Sequence, residues 1–128
     1  MRDLINAVTE PVESPQGDEL EESLVVQSGI TDAVEEQLRQ CGLDPRLINN
    51  GYCSDFAERV VLAMQGQSAD TFAASPRDDY KMERSGQTYD PTAPLHWFVV
   101  HMGRCYDAEA ADGRDRWQDL PFYQRRRW

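Results

Sequence analysis

The chain has almost no lysine. Lys81 is the only one, so arginine supplies the rest of the 13 basic residues, against 23 acidic residues and a formal net charge of -10. This composition is typical of proteins from very salty cytoplasm, where the Debye length falls to about 3 Å at molar salt, and equally of acidic proteins from GC-rich genomes. Under either interpretation a carboxylate-rich surface disfavours binding to nucleic acid. The arginine run at 125–127 is interpreted as a solvated chain end, since three charges give a small phosphate footprint.

Long apolar runs are also lacking. No stretch approaches the roughly 18 consecutive apolar residues of a membrane-spanning helix, and the N-terminal MRDLINAVTEPVES lacks the apolar core of a secretion signal. Cysteine is scarce, at three residues: Cys41, Cys53 and Cys105. An odd number cannot all pair, which favours free thiols. We expect a cytoplasmic protein with no membrane partner, and a high-salt cytoplasm is one of the two settings that the composition allows.

The length of 128 residues suffices for one domain but not for two comfortable ones. Residues 1–24 are rich in acidic side chains and contain Pro11 and Pro15. Such a segment buries little apolar surface and repels itself, so it is predicted to be a flexible acidic arm. Residues 25–128 are predicted to form a single α+β domain.

Two helices are predicted in the first half of this domain. The segment 31–41 has apolar residues at helical spacing, with Thr31 as a candidate N-cap and Gly42 as a candidate C-cap. A short helical turn opened by Asp44-Pro45 is expected next, followed by a break at NNG. The strongest helix begins at Cys53 or the next residue, and its apolar face consists of Phe56, Val60, Ala63 and Met64.

The second half is predicted to contain an antiparallel pair of strands. Residues 66–95 show no sustained period and are interpreted as a substrate-side loop or an additional short helix or strand. In LHWFVVHMGRCYDAEA, two apolar runs flank Met102-Gly103-Arg104, which is typical of a β-hairpin. The predicted fold is therefore N-terminal helices packed on a small antiparallel sheet. The tail is expected to dock on the domain through Trp117, Leu120, Phe122 and Tyr123.

Cys53 is the best candidate nucleophile in the sequence. A catalytic cysteine must be a thiolate near neutral pH, although a free thiol has a pKa of about 8.5. The positive end of a helix dipole and a neighbouring histidine both lower that pKa. Cys53 is predicted to lie at the positive end of a helix dipole, because it opens the strongest helix after a glycine-containing break. The N–H groups of that first turn are also candidate donors to an oxyanion.

The neighbouring histidine must be His96 or His101, the two histidines of the chain. Alternate residues of a strand share a face, so these two histidines lie on opposite faces of a regular strand. A two-residue turn, through either Met102-Gly103 or Gly103-Arg104, puts His96 on the same face as Asp107 and Glu109. In the first register His96 is opposite Glu109 and diagonal to Asp107, whereas in the second it lies farther from both. A three-residue turn would instead place His101 on the face of the acidic residues and favour it as the base. His101 and Glu109 therefore remain alternatives.

These motifs resemble a known family. GYCSDFA, with a glycine two before the cysteine and an aromatic residue three after it, resembles the nucleophile segment of papain-like enzymes. HWFVVHMGRCYDAEA is similar to the histidine and aspartate strands of the transglutaminase-like and bacterial cell-wall cysteine peptidase branches of that superfamily. The resemblance covers roughly residues 49–111. It implies a papain-like core in which Cys53 is the nucleophile, His96 the general base and Asp107 the orienting acid, with no cofactor.

One part of the family pattern is missing. Papain-type enzymes place an oxyanion-hole glutamine several residues before the cysteine, where this chain has Asn49 and Asn50. Both asparagines are interpreted first as turn residues. Asn50, Tyr52 and Trp97 are the candidates for oxyanion or substrate contacts.

The expected function is acyl transfer through a thioester, on a peptide, amide or isopeptide substrate, as a cysteine peptidase, amidase or acyltransferase. The alternative is a catalytically degenerate binding or virus-associated accessory module of the same fold. A metal site made of Cys53, His96, His101 and Cys105 is disfavoured, because the two histidines point to opposite faces of a regular strand. The substrate and the oligomeric state do not follow from the sequence.

Overall fold

The computed structural model describes residues 19–66 and 68–126, with side chains from residue 29 onward. The first 18 residues of the predicted acidic arm lie outside these ranges. The chain then enters helix α1 (Glu19–Cys41). The helix start predicted at Thr31 is wrong, since Thr31 lies well inside α1. The preceding segment is rich in Glu and Leu, which favour helix, and one glycine within a helix costs only about 1 kcal/mol.

Two helices follow in the positions that the sequence predicts. Helix α1 ends before Gly42, whose φ of 65° suits a C-cap. Helix α2 (Pro45–Asn49) is capped by the side chain of Asp44, which accepts a hydrogen bond from the N–H of Arg46. Helix α3 (Cys53–Ala63) begins at the first of the two predicted start residues. Its buried face consists of Phe56, Ala57, Val60 and Val61, whereas Ala63, predicted on that face, is exposed.

The irregular segment predicted over 66–95 contains both a strand and a helix. They are β1 (Thr71–Ala74) and α4 (Asp79–Ser85), the latter capped by Asp78 and Gly86. The remaining strands are β2 (Phe98–His101), β3 (Arg104–Asp107) and β4 (Ala110–Arg114). A 3-10 turn at Trp117–Asp119 and helix α5 (Pro121–Gln124) complete the fold.

The four strands form one antiparallel sheet in the order β1-β2-β3-β4. In the central hairpin His101 pairs with Arg104, so that Met102 and Gly103 form a two-residue turn. This is the first of the two registers that the sequence left open. Both turn residues have positive φ, 52° and 81°, as a two-residue hairpin turn of this hand requires.

Both faces of the sheet are covered. One face packs against α1 and α3, with Val99 and Tyr106 contributing from the sheet. The opposite face, which includes Phe98, Val100 and Cys105, packs against α4 and the C-terminal segment. The predicted docking of the tail is confirmed, because its four predicted anchors are buried: Trp117, Leu120, Phe122 and Tyr123.

The predicted α+β class is confirmed: N-terminal helices pack on a small antiparallel sheet. Within the described part of the chain, no helix is both long enough and apolar enough to cross a membrane.

Candidate active site

Cys53 is half-buried and is the first residue of α3. The helix starts there because the α2 helix ends at Asn49 and the chain turns through Asn50 and Gly51. The first backbone hydrogen bond of α3 runs from the N–H of Phe56 to the carbonyl of Tyr52. The N–H groups before it therefore have no partner within the helix, and they surround the thiol with positive partial charge.

His96 and Asp107 form a buried pair on the same side of the hairpin. Nε2 of His96 lies 2.9 Å from Oδ2 of Asp107, and the side chains are 0% and 2% exposed. The other oxygen of Asp107, Oδ1, accepts a hydrogen bond from the backbone N–H of Glu109 at 3.0 Å. With both carboxylate oxygens engaged, Asp107 fixes the proton of the imidazole on Nε2 and leaves Nδ1 for another partner.

The thiol of Cys53 is the neighbouring group that is electrostatically coupled to this imidazole. Partial burial acts to raise the pKa of the thiol, but the side chain of His96 and the backbone N–H of Trp97 outweigh burial and lower it. Burial likewise acts to lower the pKa of His96, but the hydrogen-bonded Asp107 carboxylate and the neighbouring Cys53 thiol outweigh burial and raise it. Nδ1 of His96 is buried, and it forms no hydrogen bond of good distance and angle within the described structure. The thiol and the imidazole are therefore electrostatically coupled.

The C-terminal segment holds the imidazole in place. The ring of Phe122 stacks on the ring of His96, with centroids 4.0 Å apart and an angle of 13° between the planes. Tyr123 meets the same imidazole edge-on at 5.8 Å, and its hydroxyl donates to the carbonyl of Pro94. The aromatic packing leaves the imidazole little freedom to rotate away from Cys53. The sequence predicted that these aromatic residues dock, but it did not predict that they dock on His96.

Cys53 lines a cleft of about 410 Å³. Loop residues before α3 form one side, and Leu95 and Trp97 form another. Phe122 and Arg126 close the third side from the C-terminal segment. The full lining consists of Asn49, Asn50, Gly51, Cys53, Ser54, Leu95, Trp97, Phe122 and Arg126.

The three candidates for oxyanion or substrate contacts differ in position. Trp97 lines the cleft, and its backbone N–H contacts the sulfur of Cys53. Asn50 lines the cleft too, and its Oδ1 accepts a hydrogen bond from Nη2 of Arg126 at 2.6 Å. Tyr52 is 53% exposed and is not among the cleft-lining residues.

Glu109, the alternative to Asp107, contacts other residues. It binds Nδ2 of Asn49 at 2.9 Å and both Nη atoms of Arg125 at 2.8 and 2.9 Å. The ladder from β2 to β3 does not extend to Glu109, so the predicted cross-strand neighbourhood with His96 is not reached. Glu109 instead joins the turn before Cys53 to the C-terminal segment. Arg125 is paired, which corrects the interpretation of that residue as a solvated end.

His101, the alternative to His96, lies on the opposite face of β2. Its Nδ1 is 2.7 Å from Oγ1 of Thr71, and burial lowers its pKa. Cys105 is buried in the core of the other face, where burial raises the pKa of its thiol to about 12. Among the described residues, no group of three or more His, Cys, Asp or Glu side chains is arranged to hold a metal ion.

Comparisons with protein-family models, with curated proteins and with solved structures find no match to this chain. The interpretation of the site therefore depends on its own geometry. The structure brings Cys53, His96 and Asp107 together, and their chemical roles stay predictions.

Proposed function

We propose that the chain is a cysteine hydrolase or acyltransferase of the papain-like superfamily, acting on an amide, isopeptide or ester carbonyl through a thioester intermediate. One observation carries the proposal: the half-buried thiol of Cys53 interacts with an imidazole whose other nitrogen is held by a buried carboxylate at 2.9 Å. The order along the chain supports it as well. A cysteine that opens a helix is followed by a histidine just before a strand and an aspartate on the next strand.

The mechanism follows from the site. The thiolate of Cys53 attacks the carbonyl carbon, a C–S bond forms, and the carbonyl electrons move onto oxygen. As the tetrahedral intermediate collapses, the bond from the carbonyl carbon to the leaving nitrogen or oxygen breaks, and the imidazolium of His96 donates its Nδ1 proton to the leaving amine or alcohol. Water or an acceptor amine then attacks the thioester, giving its proton to Nδ1, and the C–S bond breaks to restore the thiolate. Asp107 stabilises the imidazolium whenever it forms, without taking the proton.

The oxyanion has two candidate sets of donors. The N–H groups at the start of α3 have no helical partner, and such groups stabilise developing negative charge. The amide of Asn50, at the rim of the same cleft, is the side-chain candidate. Asn49 is a weaker candidate, because it is only 3% exposed and one of the two N–H groups of its amide already donates to Glu109.

Alkylation by iodoacetamide tests whether Cys53 is activated. At mildly acidic pH, near pH 6, we expect Cys53 to be labelled at least about tenfold faster than Cys41 or Cys105, because only a thiolate reacts. Asp107→Asn keeps the shape of the pair but removes the charge that stabilises the imidazolium. We expect it to lower the rate at Cys53 by about tenfold, the effect of one pKa unit.

Mass spectrometry of the three cysteine-containing peptides gives the separate rates. The matched control is Asp112→Asn, which removes a carboxylate of the neighbouring strand that is paired with Arg114, and it should leave labelling of Cys53 unchanged. Equal and slow labelling of all three cysteines would contradict the proposal and favour an inactive binding module of the same fold.

A further inference from the structure

Among the described residues that line the cleft, Arg126 is the one charged side chain. The Asp107 carboxylate behind the cleft is 2% exposed and bound on both oxygens, so it is not presented to a substrate. Glu109, also nearby, is paired with Arg125. In a protein of net charge -10, the cleft beside the thiol thus presents a cationic group.

The guanidinium of Arg126 is held in a fixed orientation. Its Cζ lies 3.7 Å from the ring centroid of Phe122, the ring that stacks on His96. Nη1 donates to the backbone carbonyl of Phe122 at 2.8 Å, and Nη2 donates to Oδ1 of Asn50 at 2.6 Å. This preorganisation lowers the entropic cost of binding a ligand.

The guanidinium keeps unused donors. An arginine has five N–H groups, and the two hydrogen bonds of Arg126 engage two of them. Within residues 29–66 and 68–126, Arg126 forms no ion pair with a carboxylate. Arg125, its neighbour, differs in this respect, because Glu109 holds it by two hydrogen bonds. A planar fork with free N–H groups is suited to a carboxylate.

We infer that Arg126 binds a carboxylate of the substrate, so that the preferred substrate carries a carboxylate within side-chain reach of the scissile carbonyl. This substrate class rests on the proposed acyl-transfer function. The carboxylate belongs either to an acidic side chain or to a free chain terminus of the substrate, which share the same chemistry.

The rates of two alkylating reagents at Cys53, one with and one without a carboxylate, measure how strongly Arg126 attracts a carboxylate. Iodoacetate and iodoacetamide transfer similar groups to the sulfur of Cys53, but iodoacetate carries a carboxylate. We expect Arg126→Gln to lower the ratio of the iodoacetate rate to the iodoacetamide rate by about fivefold at low salt. Arg126→Lys keeps the charge and should lower it by less than about twofold. In about 1 M NaCl the difference between wild type and Arg126→Gln should shrink, since the Debye length falls to about 3 Å.

Arg39→Gln is the matched control, because it removes the same charge from an exposed position on α1. An unchanged ratio in Arg126→Gln, or an equal fall in Arg39→Gln, would overturn the inference. At about pH 10 every accessible thiol ionises, so the ratio is measurable whether or not Cys53 is activated. Fast labelling near pH 6 with an unchanged ratio overturns the carboxylate site alone. Slow labelling there with a fivefold change overturns the proposed catalysis and retains the site.

Protection experiments distinguish the two sources of the carboxylate. One short peptide has a glutamate side chain and an amidated C-terminus, and the other has neutral side chains and a free C-terminal carboxylate. Slower labelling of Cys53 by iodoacetamide in the presence of one peptide, lost in Arg126→Gln, identifies the source. Protection by neither peptide contradicts the inference.

Discussion

At the scale of single residues, the site depends on which partners the carboxylates of Asp107 and Glu109 bind. Asp107 gives one oxygen to His96 and the other to the backbone N–H of Glu109. Glu109 itself gives both oxygens to Arg125 and one of them also to Asn49. The two acids are two positions apart in the sequence, yet Asp107 orients the imidazole, whereas Glu109 joins the turn before Cys53 to the C-terminal segment.

Glu109→Gln should destabilise the fold near neutral pH. The side chains of Glu109 and Arg125 are 16% and 26% exposed, so we expect a loss of about 1–2 kcal/mol in the free energy of unfolding. Burial acts to raise the pKa of Glu109, but the hydrogen bonds from Arg125 and Asn49 outweigh burial and lower it from its ordinary value of 4.5. A carboxyl whose folded pKa is depressed stabilises above its unfolded pKa and loses that contribution as the pH falls through the folded pKa.

The difference between wild type and Glu109→Gln should therefore be largest near pH 7 and shrink below about pH 4. Urea unfolding at several pH values measures it. Glu36→Gln is the control, since Glu36 pairs with Arg39 on an exposed helix surface and should cost less than about 0.5 kcal/mol. A difference that stays constant down to about pH 3 would contradict the assigned role of the Glu109 carboxylate.

At the scale of elements, the β2–β3 hairpin decides which histidine faces Asp107. Its two-residue turn puts His96 and Asp107 on the same side and sends His101 to the other. The turn has a cost, because Met102 has a φ of 52°, a conformation that disfavours side chains with a Cβ by roughly 1–2 kcal/mol. Correct register thus comes with local strain at Met102.

Met102→Asn should stabilise the protein. Asparagine tolerates positive φ and is preferred at the first position of such turns, and Met102 is 56% exposed, so little packing is lost. We expect the free energy of unfolding to rise by about 0.5–1 kcal/mol, with the labelling rate of Cys53 unchanged. Met102→Ala, which keeps the strain, is the control in urea unfolding. An asparagine variant less stable than the alanine variant would contradict this account.

At the scale of the whole molecule, the burial of two apolar cores, one on each side of the sheet, stabilises the fold, and repulsion between the excess negative charges destabilises it. One core joins the sheet to α1 and α3, and the other joins it to α4 and the C-terminal segment. The active-site elements come from both sides. Cys53 is carried by α3, whereas the ring that stacks on His96 is carried by α5.

Salt should stabilise the molecule. With a net charge of -10, like charges repel across the surface, and raising NaCl from about 0.1 to 1 M shortens the Debye length from about 10 to 3 Å. We expect a gain of at least about 1 kcal/mol in the free energy of unfolding, or roughly 4–8 °C in Tm. Thermal unfolding followed by circular dichroism measures it. A gain that levels off with NaCl indicates screening, and a Tm that stays constant or falls would show that self-repulsion is not a significant term.

The sequence by itself determined the features that depend on near neighbours. These are the helix opened by Cys53, the short helix opened by Asp44-Pro45, the hairpin around Met102 and Gly103, and the tail that docks through its aromatic residues. Caps, turns and periodic apolar residues specify such features within a few positions of the chain.

Only the tertiary structure decided the rest. It selected one of the possible hairpin turns, placed Phe122 on the ring of His96, drew Glu109 toward Asn49, and brought Arg126 beside the thiol. The physical reason is separation along the chain. Arg126 and Asn50 are 76 positions apart, and no local pattern encodes which of several exposed arginines meets a cleft when both cores have formed.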